Sequence, residues 1–147
     1  MTLQDLNAYL SKCRLLEAAR ESLLDLEEAA VPGAKVLTGM PRAPGVRDRV
    51  GSIAIAIADT KDAIAELERE VEATKKEIEA LIQTIPAVDL RTLFRLRFLQ
   101  LLTWEEIAEV FRWRYDETTL RRRVERYMKK NYPVNHKNEE ENENEKL

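Results

Sequence analysis

Residues 93–130 read LFRLRFLQLLTWEEIAEVFRWRYDETTLRRRVERYMKK, and the spacing of their apolar positions decides the fold. Trp104, Ile107, Ala108 and Phe111 fall at i, i+3, i+4 and i+7, one face of a two-turn helix. Thr103 opens that helix with a capping box: its hydroxyl accepts an N–H from the first turn while Glu106 reaches back. Ala108 is the small residue that lets a neighbouring helix approach. After a turn, Asp116 is placed to cap a last helix, with Glu117 favourable at the positive end of its dipole. At about 100° per residue, Leu120, Val124, Tyr127 and Met128 share one sector and must face inward. Thr118, Thr119, Arg122, Arg126 and Lys129 lie opposite, with Arg121 and Arg123 flanking the apolar stripe. Upstream, Leu93, Phe94, Leu96 and Phe98 form the apolar side of a helix predicted from Leu90 to Leu101 and capped by Asp89. Arg91, Arg95 and Arg97 form its polar side. Trp104 belongs to the core; Trp113, in the turn, reads equally as a core plug or a surface contact. Residues 86–130 are thus expected to be a three-helix domain of the helix-turn-helix kind.

Towards the N-terminus the period changes. Ile57, Ile64, Val71, Ile78 and Ile85 lie seven apart, and so do Ile53, Thr60, Leu67, Thr74 and Leu81. The interleaved series alternate by four and three, a heptad seam that has to be buried against another helix. A candidate partner is the segment 3–30, whose Leu3, Leu6, Leu10, Cys13, Leu16, Leu23 and Leu26 form a stripe behind Thr2 as N-cap. Val31-Pro32-Gly33 stops that helix, and the Pro- and Gly-rich residues 32–45 form a loop. Residues 1–85 are therefore expected to be a helical hairpin with coiled-coil character, its helices spanning about 3–30 and 46–85. A parallel pairing of two chains, with Glu70 opposite Lys75, is the competing arrangement, and a homodimer through other surfaces is compatible with the hairpin. Pro86 ends the seam. Residues 131–147 have almost no apolar content beyond Val134 and are expected to be a disordered acidic tail, His136 among them as a solvated side chain. The fold class expected is all-α.

Charge is segregated along the 147 residues, whose formal net charge is −3. Residues 91–130 carry 11 Lys and Arg against 6 Asp and Glu, while residues 1–85 carry 11 against 15. A basic segment therefore sits inside an acidic average. Cys13 is the single cysteine, which excludes an intrachain disulfide and a cysteine-rich zinc site; it is expected to act as a small core residue. There is no signal-peptide pattern and no apolar run long enough to span a bilayer, so a cytoplasmic protein of a bacterial host, without membrane attachment, is expected.

A helix with one side in the core and a Thr/Arg/Lys surface opposite can lie in the major groove of double-stranded DNA. Thr118, Thr119 and Arg122 would then be nearest base edges and Arg126 and Lys129 nearer phosphates, with Arg121 and Arg123 beside them. TWEEIAEVF followed by this basic helix resembles the helix-turn-helix of sigma-70 region 4. The order of an N-terminal helix, a Pro-containing loop, the long helix bearing VGSIAIAIADTKDAIAELE and the LFRLRFLQLLTWEEIAEVF helix-turn-helix is similar to a family of small phage and prophage proteins, over roughly residues 3–130. The resemblance implies a phage late-gene transcriptional regulator, with RNA polymerase as a further partner. It departs in one place: where the usual motif has Gly four residues after the Ala, this chain has Arg112, and the span from Ala108 to Leu120 is longer. A differently shaped turn is expected. A small terminase-like DNA-packaging component and a protein-binding adaptor without DNA contact are the competing readings. No catalytic residue, cofactor or metal is expected. The chain lacks a Cys/His pair and a glycine-rich phosphate loop, and Glu105-Glu106 are explained by capping.

Overall fold

The computed structural model describes residues 1–31 and 46–134, and every regular element among them is helical. The expected loop 32–45 and residues 135–147 of the expected tail, with His136, lie outside the described residues. The elements are α1 (Leu3–Ala30), α2 (Val46–Gln83), α3 (Val88–Phe94) continuing into a π-helical turn (Arg95–Leu99), α4 (Trp104–Val110) and α5 (Glu117–Asn131). The protein is all-α, with a long helical hairpin followed by a helix-turn-helix arrangement.

Two compact units are present, and both long helices contribute to each. One comprises Ser11–Ala73 and the other Met1–Leu10 with the described residues from Thr74 onward. In the first, α1 and α2 are tied by Lys12 Nζ to Glu70 Oε2 at 3.0 Å and Arg20 Nη2 to Glu68 Oε1 at 3.1 Å. Glu70 thus pairs with α1 of its own chain. Leu16 and Ile64 are buried, and Ile53, Ile57, Thr60, Leu67 and Val71 are half-buried. Cys13 is also half-buried. None of the ten seam residues from Ile53 to Ile85 is exposed, as the heptad reading requires. Thr60, a polar residue in the seam, returns its hydroxyl to the Ala56 carbonyl at 2.7 Å and so leaves no unsatisfied donor.

The second unit holds the larger core. α1 starts with the predicted Thr2 cap, Asp5 N–H donating to Thr2 Oγ1 at 3.3 Å and Thr2 N–H to Asp5 Oδ2 at 2.8 Å. Leu6 and Tyr9 of α1, and Ile78, Leu81 and Ile82 of α2, are buried together with Ile85. Tyr9 is a core residue that the leucine stripe did not include. Leu93, Phe94, Leu96, Phe98, Ile107, Ala108, Leu120, Val124 and Met128 complete the buried set. Phe94 meets Phe98 and Tyr127 with ring centroids 5.5 Å apart in each pair, the second edge-to-face.

Two details differ from the sequence reading. The helix expected from Leu90 to Leu101 begins at Val88, so Asp89 lies inside its first turn and the N-cap is Ala87. It also widens at Arg95–Leu99, where Gln100 N–H donates to the Arg95 carbonyl at 3.0 Å. Leu96 and Phe98, two residues apart, cannot share a narrow face of a regular α-helix. The wide turn accompanies the burial of both, at 8% and 2% exposure. Leu101 then takes φ 59° to end the helix, and Leu102 N–H closes on the Leu96 carbonyl at 3.0 Å.

Ile78→Ala, at a fully buried position, is expected to cost about 2–5 kcal/mol in urea unfolding. Ile55→Ala, at a 64% exposed position, should stay within about 0.5 kcal/mol of the parent. Equal losses at the two positions would contradict the core assignment.

Candidate nucleic-acid interface

α4 is set by its first residue. Thr103 Oγ1 accepts from Glu106 N–H at 3.2 Å while Glu106 Oε1 accepts from Thr103 N–H at 3.4 Å, the reciprocal capping box the sequence predicted. Such a cap contributes about 1 kcal/mol. Ile107 and Ala108 are completely buried. Trp104 is only half-buried: the Arg97 guanidinium lies 4.5 Å above its ring and donates to the Leu102 carbonyl at 2.9 Å. The Trp104 ring therefore packs as a partner for Arg97 as much as a core side chain. Arg97, placed on the polar side by the wheel, is drawn into the structure by the same contact.

α5 begins at Asp116, whose carboxylate accepts from Thr119 N–H at 2.7 Å. Hydrogen bonding from Thr119, side chain and backbone, and the nearby charge of Arg122 hold the Asp116 carboxyl below its ordinary value. Leu120, Val124 and Met128 are buried at 0%, 2% and 0% exposure, which sets the rotation of the helix about its axis. Tyr127, expected in the core, is half-buried and meets Tyr132 at 6.5 Å.

With that rotation, the seven candidate residues separate into three environments. Thr118, Thr119, Arg122, Arg126 and Lys129 are all exposed. The face they span runs from Thr118 to Lys129, roughly 16 Å at 1.5 Å per residue. Arg121 is exposed on the flank and forms a loose 3.8 Å pair with Glu125 one turn on. Arg123 turns the other way. Its Nη2 donates to Asp89 Oδ2 at 2.8 Å, and its guanidinium lies 5.1 Å from the Tyr115 ring centre. Asp89, expected as a helix cap, instead joins α3 to α5. The Arg123 hydrogen bond holds its carboxyl below the ordinary value despite the opposing effect of partial burial.

The turn between α4 and α5 carries exposed residues that precede the candidate face in the chain. Arg112 N–H donates to the Glu109 carbonyl and Trp113 N–H to the Ala108 carbonyl, both at 2.9 Å. This is a Schellman ending with Arg112 at the position usually held by Gly. Arg112 has φ 54° and Trp113 φ 57°. Two consecutive non-glycine residues are thus left-handed, at roughly 1–2 kcal/mol each. Phe111 and Tyr115 brace the turn edge-to-face at 6.2 Å. Arg112, Trp113 and Arg114 are exposed, Trp113 by 56%, which resolves it as a surface residue. Val110, Phe111, Arg112 and Arg114 line an open concavity of about 240 Å³. The signal for this feature was present in the sequence as Arg112 in place of Gly.

No protein-family model, curated protein or solved structure matches this chain. Among the described residues no helix is long and apolar enough to cross a membrane.

Asp89→Asn should lower stability at neutral pH by about 0.5 kcal/mol, the scale of a part-exposed ion pair. Because the folded carboxyl titrates below its ordinary value of 3.8, its contribution is complete above that pH. It is lost as pH falls through 3.8 towards the folded value. Thermal melts across this range should show a shallower acid loss for the variant than for the parent, and parallel curves would contradict the assignment. Arg112→Gly relieves a left-handed side chain, worth roughly 1–2 kcal/mol, against the greater unfolded freedom of Gly, roughly 0.5–1 kcal/mol. A net stabilisation of up to about 1.5 kcal/mol is expected, read as a higher melting temperature.

Proposed function

We propose that this protein is a DNA-binding transcriptional regulator of phage origin that reads double-stranded DNA through α5. The observation that carries the reading is the separation of α5 into two faces. Leu120, Val124 and Met128 are consumed by the core, whereas Thr118, Thr119, Arg122, Arg126 and Lys129 are left exposed on the side opposite. Arginine suits this role because its guanidinium can hold a phosphate or a guanine edge in two-point contact. The short capped helix α4, the turn and α5 provide the helix-turn-helix frame, and the phage assignment rests on the order of segments along the chain. The hairpin, with Leu15, Leu24, Val50 and Ile55 exposed, is the part left for protein contacts, either RNA polymerase or a second copy of the chain.

Retention on a pool of short random duplexes, measured over a salt titration, tests the proposal. The full chain should bind with an affinity that falls steeply with salt. Arg122→Ala with Arg126→Ala should weaken binding at least about tenfold and flatten the slope of log K against log salt by about 1–2. A double variant with unchanged affinity and slope sinks the proposal.

A further inference from the structure

We propose that the turn joining α4 to α5 is a second DNA contact, in which Arg112 and Arg114 hold backbone phosphates at the wall of the groove that α5 enters and Trp113 packs against the intervening sugar. This rests on the reading of α5 as the helix that meets DNA. The first argument is position. When a recognition helix enters the major groove, its N-terminal residues reach the base edges. The segment leading into that end is then carried to the groove wall, where the phosphates lie. Here that segment is the turn, which runs directly into Asp116 and the exposed Thr118, Thr119 and Arg122.

The second argument is what the turn spends its residues on. Its bracing is done by Phe111 and Tyr115 and by backbone hydrogen bonds to Glu109 and Ala108. The side chains of Arg112, Trp113 and Arg114 take no part in that bracing and are exposed. Two of these three nevertheless occupy left-handed positions where Gly would be unstrained. A strained, exposed pair of large side chains fits a contact surface better than a connector. The third argument is chemical. The concavity is lined by two apolar residues, Val110 and Phe111, and two arginines, Arg112 and Arg114, a mix suited to the sugar-phosphate backbone beside the Trp113 contact. The carboxylates on the adjoining segments are Glu109, Asp116 and Glu117. Asp116 is engaged in its cap at Thr119.

The test uses the full chain, with duplex binding followed over a salt titration for Arg112→Gly with Arg114→Ala, and separately for Trp113→Ala. The double variant should lose about tenfold in affinity and about 2 from the salt slope, one for each phosphate contact removed. Trp113→Ala should lose affinity with the slope retained. Melting temperatures measured in parallel exclude unfolding as the cause, since Arg112→Gly is expected to raise stability. In a Trp104→Phe background, the remaining Trp113 fluorescence should change on duplex addition. If the parent binds duplex and Arg122→Ala with Arg126→Ala weakens it, yet the turn variants keep parental affinity and slope and Trp113 emission does not move, the turn proposal is overturned alone. If the parent chain fails to bind duplex at all, the reading of α5 falls and takes this one with it.

Discussion

The burial of Leu120, Val124 and Met128 is the constraint on which the rest of the C-terminal architecture depends. A helix of 15 residues with six basic side chains has little reason to fold alone, since its charges repel and its isolated length is marginal. Three apolar residues on one stripe anchor it to α3 and α4, and that anchoring sets its rotation. Once the rotation is set, each guanidinium has a defined direction. Arg122 and Arg126 point to solvent, while Arg123 is brought to Asp89 and Tyr115. The exposed cationic face is thus a consequence of core packing and needs no separate stabilising device.

The same core shows why the hairpin and the helix-turn-helix are joined by so short a connection. α2 reaches Gln83, and Ile85 is buried before α3 begins at Val88. The apolar stripe of α2 therefore continues into the unit that contains α5. In the other unit the two long helices are held by a narrower stripe and by exposed ion pairs, Lys12–Glu70 and Arg20–Glu68. Ion pairs of that exposure add little stability.

Much of this fold was legible from local pattern. The spacing of Trp104, Ile107, Ala108 and Phe111, the Thr103–Glu106 box and the Asp116 cap all concern residues three or four apart, the distances over which a helix brings side chains together. The heptads from Ile53 to Ile85 likewise predicted a buried seam but did not name the helix that covers it; within this chain, Lys12 of α1 pairs with Glu70. The candidate site was legible to the same depth. The wheel of α5 placed Thr118, Thr119, Arg122, Arg126 and Lys129 outward, and the structure leaves all five exposed. It could not place Arg123, because Asp89 is 34 residues away.

By itself, then, the sequence determined that the chain is helical, where its capped helices begin, and which side of α5 is apolar, since periodicity and capping are properties of neighbouring residues. Tertiary structure alone decided the wide π-helical turn that accompanies the burial of Leu96 and Phe98, the stacking of Arg97 on Trp104, and the tether of Arg123 to Asp89. It also decided that Trp113, after Arg112, is left-handed as well. Each of these arises from groups brought together by packing, or from backbone bent to let packing proceed. A charged residue's role depends on which partner the fold delivers to it, and no local spacing encodes that.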